Sequence, residues 1–351
     1  MKTSRITICA VLLGLLAVGI PLSVWAQEKE RHYGKVNVSV TRGVRIEVDN
    51  RTIGRITVQG WDRDAVEAHA VSTRGDEVVI VGTVDTSTGK LISFKADYAN
   101  LEDASHVTSY VDEPPQNTEG GNLKVNLEVS VPRYIEIGLI EVWRSDVQVN
   151  DVDTVIVVTS DRSSVILKNI GGAEVRNRSG NVEIDGVKGG AAVGTSSGAI
   201  RVTNSKTMVR AVSIGGPIEI KCSTGRVDVS NTEAPIELVN IDGDVDAVAA
   251  NSSVRYTGKL RDDGRYYLKS MSGRVEMLLP EKPSGFNATL SSYKGIVESD
   301  FKLNTKRPDS DANHNSRRSG IYGSGKAQII LDSFEGLVRL GKLGNLPGCG
   351  K

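Results

Sequence analysis

The residues that could do chemistry are few and scattered. Four histidines, His32, His69, His106 and His314, are the obvious candidate ligands or general bases, yet none stands in a metal spacing such as HExxH. His314 lies in a polar stretch and the other three in the first third of the chain, so they form a site only if the fold gathers them. The acidic run IDGDVDAV, Ile241 to Val248, suggests calcium. A calcium ion needs six or more converging oxygens. Here Asp244 and Asp246 are expected to project outward around a strand beginning at Val245, with Asp242 and Gly243 in its turn, and a solvated turn is the preferred reading. The basic pairs Lys306-Arg307 and Arg317-Arg318 could touch an anionic surface, but in so polar a loop they read as solvated charge.

Three cysteines, Cys9, Cys222 and Cys349, offer no CxxC or Cys/His cluster for a metal. Cys222 continues the alternation Ile218, Ile220, Cys222 and reads as a small buried hydrophobe. Cys349, in the Gly-rich segment LPGCGK, reads as an exposed thiol, with a bridge between the two as the alternative. No GxSxG elbow, P-loop or dinucleotide fingerprint occurs. No catalytic, cofactor-binding or metal-binding residue is assigned, no cofactor is expected, and the binding residues stay unassigned.

Residues 1–26 are set apart from any fold. Lys2 and Arg5 precede the apolar run Ile6 to Ile20, and Val24-Trp25-Ala26 places compact residues three and one before Gln27. This is the pattern of a secretory signal peptide cut after Ala26, and Pro21 with the Val-x-Ala ending fits cleavage better than an uncleaved membrane anchor. Cys9 sits near the start of this leader rather than at its end, which disfavours a lipid anchor. Beyond it no apolar run approaches membrane length, so no further span is expected. With 43 basic and 43 acidic residues in the whole chain, and Lys2 and Arg5 lost with the leader, the remainder is nearly neutral and offers no electrostatic case for nucleic acid.

What would have to position any site is a repeat. SSGAIRVTN, Ser196 to Asn204, has relatives at RSGNVEIDG, IGGPIEIKC, TEAPIELVN and MSGRVEMLL. Aligned on the first apolar residue of each strand, the copies begin at Val147, Val165, Val182, Ile200, Ile218, Ile236, Val254, Val275, Ile296 and Leu337, with gaps of 18, 17, 18, 18, 18, 18, 21, 21 and 41 residues. A second alternating stretch opens nine residues before Val182, Ile200, Ile218, Ile236 and Val254, at Ala173, Ala191, Val209, Val227 and Val245. Each period is therefore two short strands joined by turns carrying Gly, Ser, Asn or Asp. Propeller blades and leucine-rich repeats demand other spacings. The expected fold is all-β: a single-chain β-solenoid, β-helix-like, of two-strand coils about 18 residues long, stacked at about 4.8 Å.

In that stack Val182 and Ile184, Ile200 and Val202, and Ile218 and Ile220 point inward. Glu183, Arg201, Glu219 and Glu237 form one outward column, and Asp185, Thr203, Lys221 and Val239 the next. Gly180, Gly198, Gly216 and Gly273 precede the strands, where a positive φ or a tight corner is expected; Ala234 and Ser252 at the same point show the requirement is not strict.

Residues 27–133 alternate more loosely and read as an irregular β lead-in that caps the first coil; KADYANLEDASHV could hold a short helix, and Asp112 to Gly121 is a loop. Residues 134–340 carry the solenoid repeats, interrupted by a polar insertion at 303–320, and 341–351 form a Gly-rich tail.

The Ser-Gly-x-Val/Ile strand openings between Ser179 and Val275, the opening IGRITVQGWD (Ile53 to Asp62) and the closing segments SDFKL and GSGKAQIILDSFEGLVRL resemble the bacterial "putative adhesin" domain family, a β-solenoid domain of unknown function. The resemblance implies a cell-envelope or extracellular location, secreted or periplasmic, and a binding or structural role. It supplies no catalytic residue. The function expected is a non-catalytic adhesin or scaffold whose partner is an envelope glycan or protein. Two alternatives are a polysaccharide-active β-helical enzyme, which needs carboxylates from neighbouring rungs in a lateral cleft, and an envelope-stress signalling partner, which needs a specific protein interface.

Overall fold

The computed structural model describes residues 31–72, 78–84, 91–98, 124–305 and 316–349, and all of the regular structure among them is β-strand. The leader, the loop Asp112 to Gly121, His106, His314 and the Lys306-Arg307 pair lie outside the described residues. Of the segment considered for a helix, Lys95 to Tyr98 instead closes a strand and the rest lies outside.

The period of about 18 becomes one coil of two strands. β8 (Val155–Arg162) and β9 (Val165–Ile170) make one such coil. It is followed by β10 (Gly172–Ser179) with β11 (Val182–Val187), β12 (Ala191–Ser197) with β13 (Ile200–Ser205), and β14 (Val209–Ser213) with β15 (Ile218–Lys221). Then come β16 (Val227–Asn231) with β17 (Ile236–Val239), β18 (Val245–Ala249) with β19 (Val254–Thr257), and β20 (Arg265–Ser270) with β21 (Val275–Pro280). First strands pair in parallel with first strands, making one face, and second with second, making the other.

Identical types stack in register: Val182 on Ile200, Ile200 on Ile218, Ile218 on Ile236, Ile236 on Val254. All are almost fully buried. Each burial is worth about 1.5–3 kcal/mol, and β-branched side chains fit the pleat, so layer after layer covers its neighbour.

Both ends depart from simple winding in the same way. After β21 the chain skips a level to make an outer coil, β22 (Phe286–Ser292) and β23 (Val297–Ser299). It then runs β24 (Ser316–Tyr322) antiparallel to β22 and returns as β25 (Ala327–Ser333) and β26 (Val338–Leu343), between β20/β21 and the outer coil. Arg317 and Arg318 thus lie on the antiparallel strand that covers the end of the stack. The last two expected strand openings shift by one residue, because Val338 pairs with both Val275 and Val297. Ile296 stands 65% exposed in the preceding turn.

At the other end β2 (Arg45–Trp61) is a whole coil in one long strand, stacked on β7 (Glu136–Asn150). β5 (Leu91–Tyr98) and β6 (Lys124–Pro132) lie outside it. Three antiparallel strands complete this irregular cap: β4 (Val78–Val84) on β5, β3 (Ala65–Ser72) on β6, and β1 (Arg31–Ser39) on β3. At each end, then, antiparallel strands cover the edge that a bare solenoid would offer to another chain.

The corners are built by two further ladders. At the corner closing β7, β9, β11, β13, β15 and β17 the backbone turns left-handed, at Asp151, Asn169, Gly186, Asn204, Cys222 and Asn240, with φ between 51° and 75°. Asn, Asp and Gly tolerate that region. Cys222 occupies the position of Asn204 and Asn240, which corrects its reading as a core hydrophobe: β15 ends at Lys221, and residue 222 makes the turn, half-buried.

At the opposite corner a buried polar column, Asn177, Thr195, Ser213, Asn231, Ser270, Ser333 and Ser292, satisfies the turn backbone. Asn231 accepts from the amides of Glu233 and Ala234 at 3.2 and 3.0 Å, and its Nδ2 donates to the Gly216 carbonyl at 2.7 Å. The adjoining glycines meet the requirement in two ways. Gly198 turns with φ +113°, whereas Gly216 has no positive φ but lies so close to the coil below that a Cβ would meet the Gly198 carbonyl oxygen at 1.8 Å.

Candidate functional site

The expected charged column on the second face exists in register, Glu183, Arg201, Glu219, Glu237, Arg255, Glu276, Arg339. It is largely neutralised from within. Arg201 Nε donates to Glu219 Oε2 at 2.6 Å, Lys221 also pairs with Glu219, and Arg255 and Arg274 reach Glu276 at 3.3 and 2.7 Å. For Glu219 burial works against ionisation, but Lys221 and Arg201 outweigh it and hold its pKa below the usual carboxylate value. In the neighbouring column Val239 is buried rather than outward. Of the histidines only His69 has a described side chain; its Nε2 lies 3.2 Å from Glu128 Oε2 across the β3–β6 pair, far along the chain from the acidic run. Among the described residues no group of three or more His, Cys, Asp or Glu is placed to hold a metal ion.

The first face carries something different. Asp228, Asp246, Tyr267 and Ile330 stand in register on β16, β18, β20 and β25, one column over four successive rungs. Beside them, two residues earlier on each rung, stand Arg226, Asp244, Arg265 and Gln328. Arg226, Asp244, Asp246, Arg265, Tyr267, Gln328 and Ile330 line an open groove of about 520 Å³. At about 4.8 Å per rung the two columns run roughly 14 Å along the stack.

Preceding Arg265 in the chain, and joined to the groove through Arg261 and Asp244, is the loop 258–264, where the period lengthens from 18 to 21 between Val254 and Val275. Two buried tyrosines pin it. Tyr256 and Tyr266 pack edge to face at 5.2 Å; the Tyr256 hydroxyl donates to the Lys259 carbonyl at 2.5 Å, and the Tyr266 hydroxyl accepts from the Arg261 amide at 2.9 Å. Burial pushes both phenols above their ordinary pKa. Arg261 then reaches Asp244 at 3.2 Å, and the Arg265 amide donates to the same carboxylate at 3.0 Å.

Within the groove the polar groups divide into committed and uncommitted. Arg226 Nε donates to Asp228 Oδ1 at 2.8 Å, and Asp244 is held as described. Among the described residues the Asp246 carboxylate, the Arg265 guanidinium, the Tyr267 hydroxyl and the Gln328 amide take no hydrogen bond. Partial burial, then the Asp228 charge in register with it, raise the Asp246 pKa, and Arg226 opposes. Like charges directly opposed across a ladder destabilise it. The sequence marks the acidic run, with Asp246 on the strand that begins at Val245, but not its partner Asp228 one coil earlier, which only the register supplies. The sequence signal beside it is the break in period at 258–264.

Behind the same loop lies a second concavity of about 530 Å³, lined by Asn240, Ile241, Asp242, Lys259, Leu260, Arg261, Leu346 and Pro347. The segment after β26 returns here and is fastened by a disulfide, Cys222–Cys349, with Cα atoms 5.7 Å apart and 127 residues between them in sequence. Asn240 Nδ2 donates to the Pro347 carbonyl at 2.5 Å. The bridge overturns the preferred reading of two separate thiols. Residue 222 faces outward at the left-handed corner, where a thiol is within reach of the returning chain.

A family model described as Toastrack DUF4097 matches residues 35–340. The chain belongs to the Toastrack family. The match spans the cap, the stack and the returning β25/β26 coil, so the Toastrack unit is the whole structure described above and not its regular centre alone. Among solved structures, this Toastrack chain is similar to a "putative cell adhesion protein" from Clostridium sporogenes ATCC 15579, at 10% identity over 90% of this chain and 100% of that one, with a TM-score of 0.23. It is also similar to a "putative adhesin" from Parabacteroides merdae ATCC 43184, at 8% identity over 90% and 97%, with a TM-score of 0.30. No curated protein matches the sequence.

Proposed function

We propose that this Toastrack protein is a non-catalytic binding module of the cell envelope or exterior, an adhesin or scaffold that presents the first face of its solenoid to a ligand. The observation that carries the reading is the groove itself. It is open, it spans four rungs of a rigid parallel stack, and its uncommitted polar groups lie side by side, while the charges of the opposite face are largely paired with one another. Such a surface is preorganised for contact and needs no rearrangement to receive a partner. The leader-like residues 1–26 and the disulfide both support a secreted or periplasmic location, because disulfides persist in oxidising compartments. Among the described residues no helix is long and apolar enough to cross a membrane.

One observation favours a second reading, polysaccharide hydrolysis. Asp228 and Asp246 are carboxylates on adjacent rungs, the first hydrogen-bonded by Arg226 and the second with a raised pKa, an arrangement of the kind an acid–base pair uses. Against it, Arg226 already hydrogen-bonds Asp228 at 2.8 Å, which ties up one of the two carboxylates such a reaction needs. The test is binding of the purified protein to envelope fractions and to a panel of soluble glycans, with reducing-end release measured in the same samples. Binding without release supports the module; release that vanishes in Asp246→Asn would replace it with the hydrolase.

A further inference from the structure

The chemistry of the two-column groove restricts what can lie in it. A simple cation would meet Asp244 and Asp246, with Asp228 in register beside Asp246, but also Arg226 and Arg265 on the same four rungs; a simple anion meets the reverse. Neither sign is favoured over the length of the groove, and Asp228 and Asp244 are already spoken for by arginines. What remains uncommitted is one carboxylate that accepts, one guanidinium that donates, an amide and a phenol that do both, and the half-exposed ring of Tyr267 in register with an exposed aliphatic side chain, Ile330.

We propose that this groove binds a neutral glycan, its hydroxyls hydrogen-bonded to Asp246, Arg265 and Gln328 and its C–H face against Tyr267 and Ile330. The inference rests on the reading of the protein as a binding module and names the ligand class of that face. A sugar ring offers both halves of what the groove lacks: vicinal hydroxyls, each donor and acceptor, and an apolar face. An ordinary hydrophobic ligand would leave the carboxylate and guanidinium desolvated without partners. The in-register aspartates fit the same account. A carboxylate pair that opposes the stack is relieved when Asp246 accepts hydroxyl hydrogens, which no described residue donates to it. The length of four rungs suits a short run of sugars laid along the solenoid axis, with each rung offering one side chain per column.

The test uses the purified full chain and calorimetric titration with soluble oligomers of glucose, mannose and N-acetylglucosamine, with an oligouronate and oligolysine as the anionic and cationic arms, and an envelope fraction binding assay in parallel. Tyr267→Ala and Asp246→Asn are compared with Ile214→Ser, an exposed substitution on the far corner, after each is shown to fold by its melting curve. The expected result is saturable binding of at least one neutral oligomer, weakened at least about tenfold by Tyr267→Ala and by Asp246→Asn and unchanged by Ile214→Ser. Binding confined to the oligouronate or oligolysine overturns the neutral-glycan assignment. Neutral binding that survives both groove substitutions overturns the location. If no oligomer binds while the envelope fraction does, the glycan inference fails and the binding-module reading stands; if neither binds, both fail.

Discussion

Breaking the Cys222–Cys349 bridge isolates one term of the stability. The bridge closes a segment 127 residues long that contains every coil from β16 to β26. In the chain-entropy account a loop of that length raises the free energy of the unfolded state by about 5 kcal/mol at 25 °C. That figure is a ceiling. Without the bridge, residues 344–349 keep a single cross-contact of note, the Asn240–Pro347 hydrogen bond, and their release returns entropy to the folded state. A net loss of about 2–4 kcal/mol is expected for Cys349→Ser. The companion Cys222→Asn, Cys349→Ser restores the residue found above and below in the left-handed corner, at Asn204 and Asn240, and should recover a few tenths of a kcal/mol by its tolerance of positive φ. The assay is guanidinium unfolding of the three proteins, with far-UV dichroism confirming an unchanged strand signal before denaturant is added. Equal midpoints for the bridged protein and Cys349→Ser would refute the reasoning, because the bridge would then constrain nothing that unfolding releases. Loss of the native strand signal would refute it differently, by showing the clasp to be part of the core.

Other substitutions probe the corners and the groove. Asn231→Ala removes three hydrogen bonds at a buried corner and should cost about 1–3 kcal/mol in equilibrium unfolding; no change would mean the turn backbone finds other partners. Gly216→Ala should destabilise by more than Ala234→Gly, since its Cβ would meet the Gly198 carbonyl at 1.8 Å while position 234 already holds a Cβ; melting temperatures of the two variants decide it. Asp246→Asn should stabilise the protein at pH 7 by about 0.2–1 kcal/mol by removing a like charge opposite Asp228. The sign follows from the raised pKa: the charge opposes folding above the folded-state pKa, and the gain from the variant should vanish as pH falls through it. Asp151, Asp161 and Glu219 behave oppositely. Gln59 holds Asp151 low, Arg178 holds Asp161 low, and Lys221 with Arg201 holds Glu219 low, so their stabilisation is present above the unfolded carboxylate pKa and lost as pH falls below it. Unfolding midpoints from pH 7 down to pH 3 should fall accordingly, and a flat profile would contradict these pairings.

The period-two alternation inside a period near 18 was enough, by itself, to determine the parallel stack, its inward ladder of Val and Ile, and the outward Glu183–Arg201–Glu219–Glu237 column. Each is a nearest-neighbour property: a residue's level and face follow from its position in the repeat, and stacking repeats bury one another wherever the register holds. Tertiary structure decided what the repeat does not encode. The return of β25/β26 beneath the outer β22/β23 coil depends on which edge is free to pair once the chain has passed it, and no local pattern marks that. Cys222 could not be distinguished from a core residue by alternation, because the strand's last step and a left-handed corner look alike until φ is known. Asp246 gained its neighbour Asp228 from the coil below and its groove from side chains of four rungs, so the candidate site exists only where those rungs are brought together in space.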